Sequence, residues 1–460
     1  MSPATFNVRF KPIVYQSPQG CVPDLLAPRD RISRSRSGCK ECRKRKVKCD
    51  ETFPVCQRCQ KRGSVCSSTP RSAQWRLEVP AALSSLSPER NPHLLQYWLE
   101  VTSQIMVLDP TSYNPFSFPI LEHLSTSPAL LHTVQSISAG HEKYFPARPP
   151  LVCLEERSKA LREFRLELAQ KPVPDSLSLL TAVLLGWSAG WVDHECREFG
   201  QEHLLATHVI LDQILEQEEM CADQDPLLSF GLGTFLYWDM CCAHLVPPLQ
   251  QRAPSAFIPA ALEKMRDYNH PVNGYCSEII YLVGRVHRHC RSAIELGYRD
   301  ADYEASLEAD LVAWSSSQVA EPANGIFEAF RSHGLVTLYR VCYTDPVLIT
   351  LDDDPEEKEL SIRDHAMKTL DHLMQIPITS PLLCLQPLTL LSAAAELTPQ
   401  DMAMRENVRR RFQGLFSLNR VPANLRALSL LDEVWTLHDS GYHVSWMDLM
   451  FQRGLNLVIG

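Results

Sequence analysis

Leu94, Trp98, Val101, Ile105 and Leu108 recur at spacings of four and three, which sets all five on one face of a helix. Pro88 and Pro110 confine that segment to about three heptads or fewer, so it reads as the first helix of a folded body rather than a coiled coil. Asp175 and Ser176 are good N-cap residues for the run that follows them. That run, Leu177 to Val192, is sixteen uncharged residues with Ser178, Thr181 and Ser188 inside it. It falls short of the roughly 20 apolar residues of a membrane helix, and predicts a buried core helix instead. Leu204, His208, Leu211 and Leu215 share one face, with Glu202, Gln213 and Gln217 opposite. Comparable patterns recur near 227–246, 276–293, 325–343, 360–375 and 387–397. No alternating strand signal separates them, so the region from about 90 to 460 predicts one all-α body and no βαβ fold.

Composition agrees with that reading. Proline is frequent at 33 residues and glycine scarce at 18, which suits helices joined by proline-punctuated loops. With 45% hydrophobic and 22% charged residues, the 460-residue chain is ordinary for a soluble protein of more than one unit. The N-terminus lacks the apolar core of a secretory signal. Ten of the sixteen cysteines are scattered without a framework, which points to an intracellular compartment with reduced thiols. Residues 1–30 hold Pro12, Pro18, Pro23 and Pro28 without periodicity and predict a disordered N-terminus; the basic lead R-I-S-R-S-R follows. The expected organisation is 1–30 disordered, 31–67 a cysteine-rich unit, 68–92 a serine- and proline-rich linker, and 93–460 the helical body.

The other six cysteines form one unit: Cys39, Cys42, Cys49, Cys56, Cys59 and Cys66, spaced C-x2-C-x6-C-x6-C-x2-C-x6-C. A C-x2-C turn lets two thiolates reach one tetrahedral Zn²⁺. Aligning 39–49 with 56–66 superposes three cysteines on three. The first half carries Arg43, Lys44, Arg45, Lys46 and Lys48 between its last two cysteines, the second only Lys61 and Arg62. From Arg29 to Arg76 there are fifteen Lys/Arg against four Asp/Glu, or +11, inside a chain of net charge -9, so the remainder carries -20. A small basic head on an acidic body implies that the head alone meets a polyanion, with the first half facing it.

Six sulfurs shared by two ions leave three each, and two bridging sulfurs restore four to each metal. The spacing strongly resembles the fungal binuclear zinc cluster family, in which that arrangement occurs; every cysteine over the 28 residues fits. The resemblance implies two Zn²⁺ ions, Cys39 and Cys56 as bridges, and a loop proline at Pro54. It also implies a short helix after the second cysteine that enters the DNA major groove, where Arg45 and Lys46 would read a C-G-G triplet through guanine acceptors. Arg43, Lys44, Lys48, Lys61 and Arg62 would meet phosphates, which position without specifying sequence. RING, LIM and ribbon modules also pair cysteines, but the x6 intervals and absent histidines fit them poorly. A cluster with so small a core depends on its metal for folding, whereas the helical body is expected to persist without it.

Weaker signals remain. Gly186-Trp187-Ser188-Ala189-Gly190 matches the G-x-S-x-G of a nucleophile elbow, but the α/β context is missing, and small residues allow close helix packing. His287, His289 and Cys290 are close, yet on a helix the two histidines point about 200° apart, and a solvated basic helix with Arg285, Arg288 and Arg291 is expected. Gly231-Leu232-Gly233 lacks the third glycine of a dinucleotide loop. The acidic run Asp352, Asp353, Asp354, Glu356, Glu357 and Glu359 reads as a solvated loop, with coactivator recruitment as the sharper alternative. Gly200 to Leu211, G-Q-E-H-L-L-A-T-H-V-I-L, together with the helical texture, resembles the fungal-specific transcription factor regulatory domain.

The expectation is therefore a mainly α, nuclear, sequence-specific regulator of RNA polymerase II transcription that is not an enzyme, with double-stranded DNA as partner and no membrane. A homodimer and a coactivator or corepressor are partners that the resemblance admits, and no heptad run decides the oligomeric state. The rival readings are a serine hydrolase with an accessory DNA-binding module, and a coregulator whose cluster makes protein contacts.

Overall fold

A computed structural model describes residues 38–52, 55–67, 89–109, 113–142, 151–193, 195–218, 225–253, 255–315, 323–344, 355–378 and 380–460. The predicted N-terminal disorder, the basic lead, most of the linker, Pro54 and Asp352, Asp353 and Asp354 lie outside those residues. The described residues from the cysteine cluster to the C-terminal segment fall in one compact unit, Ser37–Gly460.

Two short helices, α1 (Lys40–Lys44) and α2 (Gln57–Gln60), belong to the cluster. The body begins with α3 (Pro92–Glu100), capped by Asn91, whose side-chain oxygen Oδ1 accepts from the N–H groups of His93 and Leu94. It continues through α4 (Ile120–His123), α5 (Pro128–Glu142), α6 (Leu151–Gln170), α7 (Ser176–Ser188), α8 (Gln201–Glu218), α9 (Pro226–Ala243) and α10 (Ile258–Lys264). Then follow α11 (Ser277–Leu296), α12 (Ala301–Ala313), α13 (Ala323–Leu338), α14 (Pro355–Gln375), α15 (Pro387–Ala395), α16 (Met402–Asn419), α17 (Ala423–Asp439) and α18 (Trp446–Gln452). No strand occurs among the described residues, as the periodicity predicted. None of the helices described is long and apolar enough to cross a membrane.

The uncharged run became α7. Asp175 caps it by accepting from the Ser178 N–H at 2.9 Å, and Leu179, Val183, Leu184 and Leu185 are fully buried. α7 packs on α9 because Gly186 leaves no side chain between them: a Cβ there would fall 2.1 Å from the Trp238 ring. Close packing, one of the two readings of G-x-S-x-G, is thus what Gly186 serves. α9 itself is capped by Asp225, starts on Pro226 and buries nearly every side chain from Leu228 onward. Gly231 and Gly233 lie inside it, not in a phosphate loop.

The core is cross-linked by buried charge. Arg420, 1% exposed, reaches across to the C-terminal end of α5 and donates to the carbonyls of His141 (2.7 Å) and Glu142 (3.1 Å), groups that a helix end leaves without partners. Arg405 forms a bidentate pair with Asp439. α11 corrects an expectation: it is not a solvated basic helix. His287 is fully buried and Arg288 pairs with buried Asp239, while His289 pairs with Glu304 of α12 at 2.8 Å. The two histidines do diverge, as their spacing required, and each diverges into packed protein.

Candidate metal centre and nucleic-acid interface

The cluster is built from one structural unit used twice. In each half the first cysteine caps a short helix with its sulfur: Cys39 Sγ accepts from the Cys42 N–H and Cys56 Sγ from the Cys59 N–H, both at 3.4 Å. That geometry turns the second sulfur of each pair toward the first. The helix then ends in a reversed turn with two reciprocal bonds. In the first half Val47 N–H donates to Cys42 O and Lys46 N–H to Arg43 O, both at 3.0 Å. In the second, Ser64 N–H donates to Cys59 O and Gly63 N–H to Gln60 O, both at 3.1 Å. This is the Schellman ending, and it needs a left-handed residue at its pivot.

The pivots are Lys46, at φ 57°, and Gly63, at φ 60°, which stand at equivalent positions of the internal repeat. Glycine takes that conformation freely, whereas a residue with a Cβ gives up about 1–2 kcal/mol. The half that carries most of the charge therefore keeps a lysine where its twin has the unstrained residue. Arg43, Lys44, Lys46, Lys48, Lys61 and Arg62 are exposed and Arg45 is half-buried. One detail differs from expectation. α1 surrounds Cys42 rather than following it, so Arg45 and Lys46 lie on the turn that closes the helix. The helix must close there because Lys46 has left the helical backbone region.

All six cysteines are buried. Sulfurs of Cys39, Cys42, Cys56 and Cys59 lie within 4.8 Å of one another, and Cys49 lies that close to Cys56. Across the two halves, Cys39 is 3.9 Å from Cys56 and 3.7 Å from Cys59, and Cys56 is 3.7 Å from Cys42. Two thiolates on one tetrahedral zinc at about 2.3 Å stand about 3.8 Å apart, so the sulfur spacing fits the ion. Backbone N–H groups also point at the outer sulfurs, from Glu51 to Cys49 (3.3 Å) and from Cys56 to Cys66 (3.4 Å). Burial, and then the neighbouring sulfurs, push the Cys42 and Cys59 thiols up. Only a cation among them reverses that preference and makes thiolates the stable form.

The rest of the site region is body. Gly63 lies against α16, where an added Cβ would fall 2.2 Å from Arg410 Cγ. The weaker sequence signals do not assemble a reactive centre. Ser188 is the last residue of α7, buried, and its hydroxyl donates to Leu185 O at 2.6 Å. The strand–turn–helix that aims a nucleophile outward is absent from 186–190. A group that sequence reading missed is His289, Glu304 and Cys342, whose ligating atoms lie within 4.8 Å of one another. Its members come from three helical segments, and Glu304 is already paired with Arg299; nothing in local spacing announces it.

Residues 37–76 match the family described as the fungal Zn(2)-Cys(6) binuclear cluster domain, and 93–460 match the fungal specific transcription factor domain. Among curated proteins, the chain is 30% identical over 268 residues to the Zn(2)-C6 fungal-type transcription factor afumD of Aspergillus fumigatus, covering 54% of this chain and 61% of that one. It is 25% identical over 244 residues to an uncharacterized transcriptional regulatory protein of Schizosaccharomyces pombe, covering 49% and 43%. It is 39% identical over 70 residues to the aspercryptin biosynthesis cluster-specific transcription regulator atnN of Emericella nidulans, covering 15% and 12%. The chain spans less than two thirds of the length of each of these relatives. No solved structure matches it significantly. The cluster domain carries two zinc ions, for which the six gathered cysteines provide the sulfur.

Proposed function

The chain belongs to the fungal specific transcription factor family with a Zn(2)-Cys(6) cluster, and from that premise we propose that it is a nuclear, sequence-specific regulator of RNA polymerase II transcription. Residues 31–67 are its DNA-binding domain, 68–92 its linker and 93–460 its regulatory body. Cys39, Cys42, Cys49, Cys56, Cys59 and Cys66 would hold the two ions through their thiolates, with Cys39 and Cys56 as the bridging pair that the family resemblance implies. The exchange of neighbours supports this: each proposed bridge lies within 3.9 Å of sulfurs from the opposite half.

Lys46 carries the DNA assignment. An exposed lysine held in a left-handed conformation, where the equivalent position is glycine, is a local cost without a packing return, and such costs gather at functional sites. The closing turn of α1 presents Arg45 and Lys46 together, two long donors suited to the O6 and N7 acceptors of guanine in a CGG-type half-site. Arg43, Lys44, Lys48, Lys61 and Arg62 hold phosphates. A biosynthetic or other metabolic gene set is the proposed target, in keeping with the relative named as a biosynthesis cluster regulator.

Binding-site selection on the zinc-loaded chain tests this. Wild type is expected to enrich CGG, Arg45→Ala to flatten the base preference, and Lys61→Ala to weaken all sequences alike with a shallower salt dependence. Identical sequence preferences for wild type and Arg45→Ala would remove Arg45 from base reading. Enrichment of paired half-sites at fixed spacing would mark a homodimer.

A further inference from the structure

His289, Glu304 and Cys342 come from α11, α12 and the turn that ends α13, and they converge in the interior of the body. His289 Nε2 stands 2.8 Å from Glu304 Oε1. One ring nitrogen, one carboxylate oxygen and the Cys342 sulfur all lie within 4.8 Å of one another. Glu304 and Cys342 are fully buried, and the His289 side chain is 9% exposed. Ligands of one tetrahedral zinc, bound at about 2.0–2.3 Å, stand about 3.3–3.8 Å apart, which falls inside that range of separations. A nitrogen, an oxygen and a sulfur together suit a borderline cation such as zinc or cobalt, whereas Mg²⁺ and Ca²⁺ take oxygen ligands.

The backbone and the neighbours of these residues single the group out. Cys342 lies in Tyr339–Tyr343, a π-helical turn, a rare conformation that is frequent at functional sites. Each ligand is braced by a residue adjacent to another. Tyr343, next to Cys342, carries the Arg299 guanidinium 4.6 Å over its ring. Arg299 in turn donates to Glu304 Oε2 from Nη2 at 2.6 Å and from Nε at 3.0 Å, and its contact with Oε1 is longer at 3.3 Å. Tyr303, next to Glu304, meets the His289 ring edge-on at 5.5 Å. Contacts of this kind orient the ligands of metal sites, and here they leave Oε1 turned to His289. The Cys290 thiol, also buried, lies beside that of Cys342 and offers a further sulfur.

We propose that this group is a second metal centre of the chain, holding one borderline divalent cation through a His289 ring nitrogen, Glu304 Oε1 and Cys342 Sγ. Binding exchanges one dication for two protons, one from the imidazole–carboxylate pair and one from the thiol. The buried group therefore keeps its net charge, and Arg299 faces no added positive charge. The site lies wholly within the helical body and does not depend on the DNA-contact assignment.

Co²⁺ is the probe, added to the full chain carrying its two zinc ions, because a cobalt–thiolate bond gives a charge-transfer band where zinc is silent. Wild type is expected to bind one further ion with that band, and metal analysis to count two zinc and one cobalt per chain. Cys342→Ser should lose the band, and both Cys342→Ser and His289→Gln should bind cobalt roughly tenfold or more weakly. Two retained zinc ions and native circular dichroism in each variant separate a lost ligand from a lost fold, and if one variant unfolds the other carries the test. No saturable binding of Co²⁺ to wild type at millimolar concentration overturns the proposal. So does equal affinity in wild type and both variants, or a band that persists in Cys342→Ser as zinc is released, which would place the cobalt in the cluster.

Discussion

The backbone N–H of Cys66 donates to the hydroxyl of Ser417 at 2.9 Å, although 351 residues separate them in the chain. Ser417 in turn donates to Gln413 O at 2.7 Å, and Arg410, one turn earlier on α16, lies against Gly63. The weakly charged half of the cluster therefore rests on α16, while Arg43, Lys44, Lys46 and Lys48 of the other half are exposed.

Ser417→Ala removes an acceptor from a buried N–H, which typically costs on the order of 1–3 kcal/mol. Because the contact joins head to body, the loss is expected as local opening. Hydrogen exchange of the peptide covering 60–67 should quicken roughly tenfold or more, with exchange in α7 and α9 unchanged. Equal protection in wild type and variant would show that the contact does not hold the head.

Lys46→Gly relieves a left-handed lysine and is expected to stabilise the cluster by about 1 kcal/mol. Chelator competition should show slower zinc loss. The same variant should bind DNA less tightly, so stability and affinity move in opposite directions. A variant that gains in both, or in neither, would detach Lys46 from the strain argument.

Zinc removal should erase α1 and α2 while leaving the body intact. Structural zinc supplies on the order of 10 kcal/mol or more to a unit of this size, and the cluster core holds little besides its cysteines and Val55. The body has its own continuous core around Trp98, Trp238 and Trp435. After chelation, amide shifts of 39–66 should collapse to unfolded values while the far-ultraviolet circular dichroism keeps nearly all its helical signal. Unchanged shifts in that segment would contradict the dependence on metal.

Two residues apart on α11, His287 and His289 titrate in opposite directions. Burial brings His287 down to about 4; His289, against the same pull of burial, is raised to about 9 by Cys342 and Glu304. Unfolded histidine titrates near 6.5. Below that value the unfolded chain takes up a proton that folded His287 refuses, so stability falls as pH drops from about 6.5 to 4. Above it, folded His289 keeps a proton that the unfolded chain releases, so its contribution is complete below about 6.5 and is lost as pH rises through 9. Thermal melts from pH 6.5 to 9 should show a decline in wild type and a flatter profile in His289→Gln. Parallel profiles would mean that His289 is not the group responsible.

The metal centre was legible because its chemistry is local. Spacings of two and six residues decide which sulfurs can meet, and a 28-residue unit with almost no apolar core has few other ways to fold. The helices from α7 to α15 were legible where a cap and a periodic apolar face coincided, as at Asp175 and along Leu204, His208, Leu211 and Leu215. The same local rules predicted that His287 and His289 diverge. They could not say into what, because Met240, His333 and Glu304 reach α11 only through packing.

What the sequence by itself determined, then, is a six-cysteine zinc unit of two unequal halves on an all-α body, since metal spacing, charge and helical period are properties of neighbours in the chain. The tertiary structure alone decided the rest. It seated Trp238 against Gly186, sent Arg420 to the end of α5, and set Cys66 on Ser417. Each of these joins residues whose meeting depends on how whole helices pack, and packing sums many weak contacts that no short window of sequence contains.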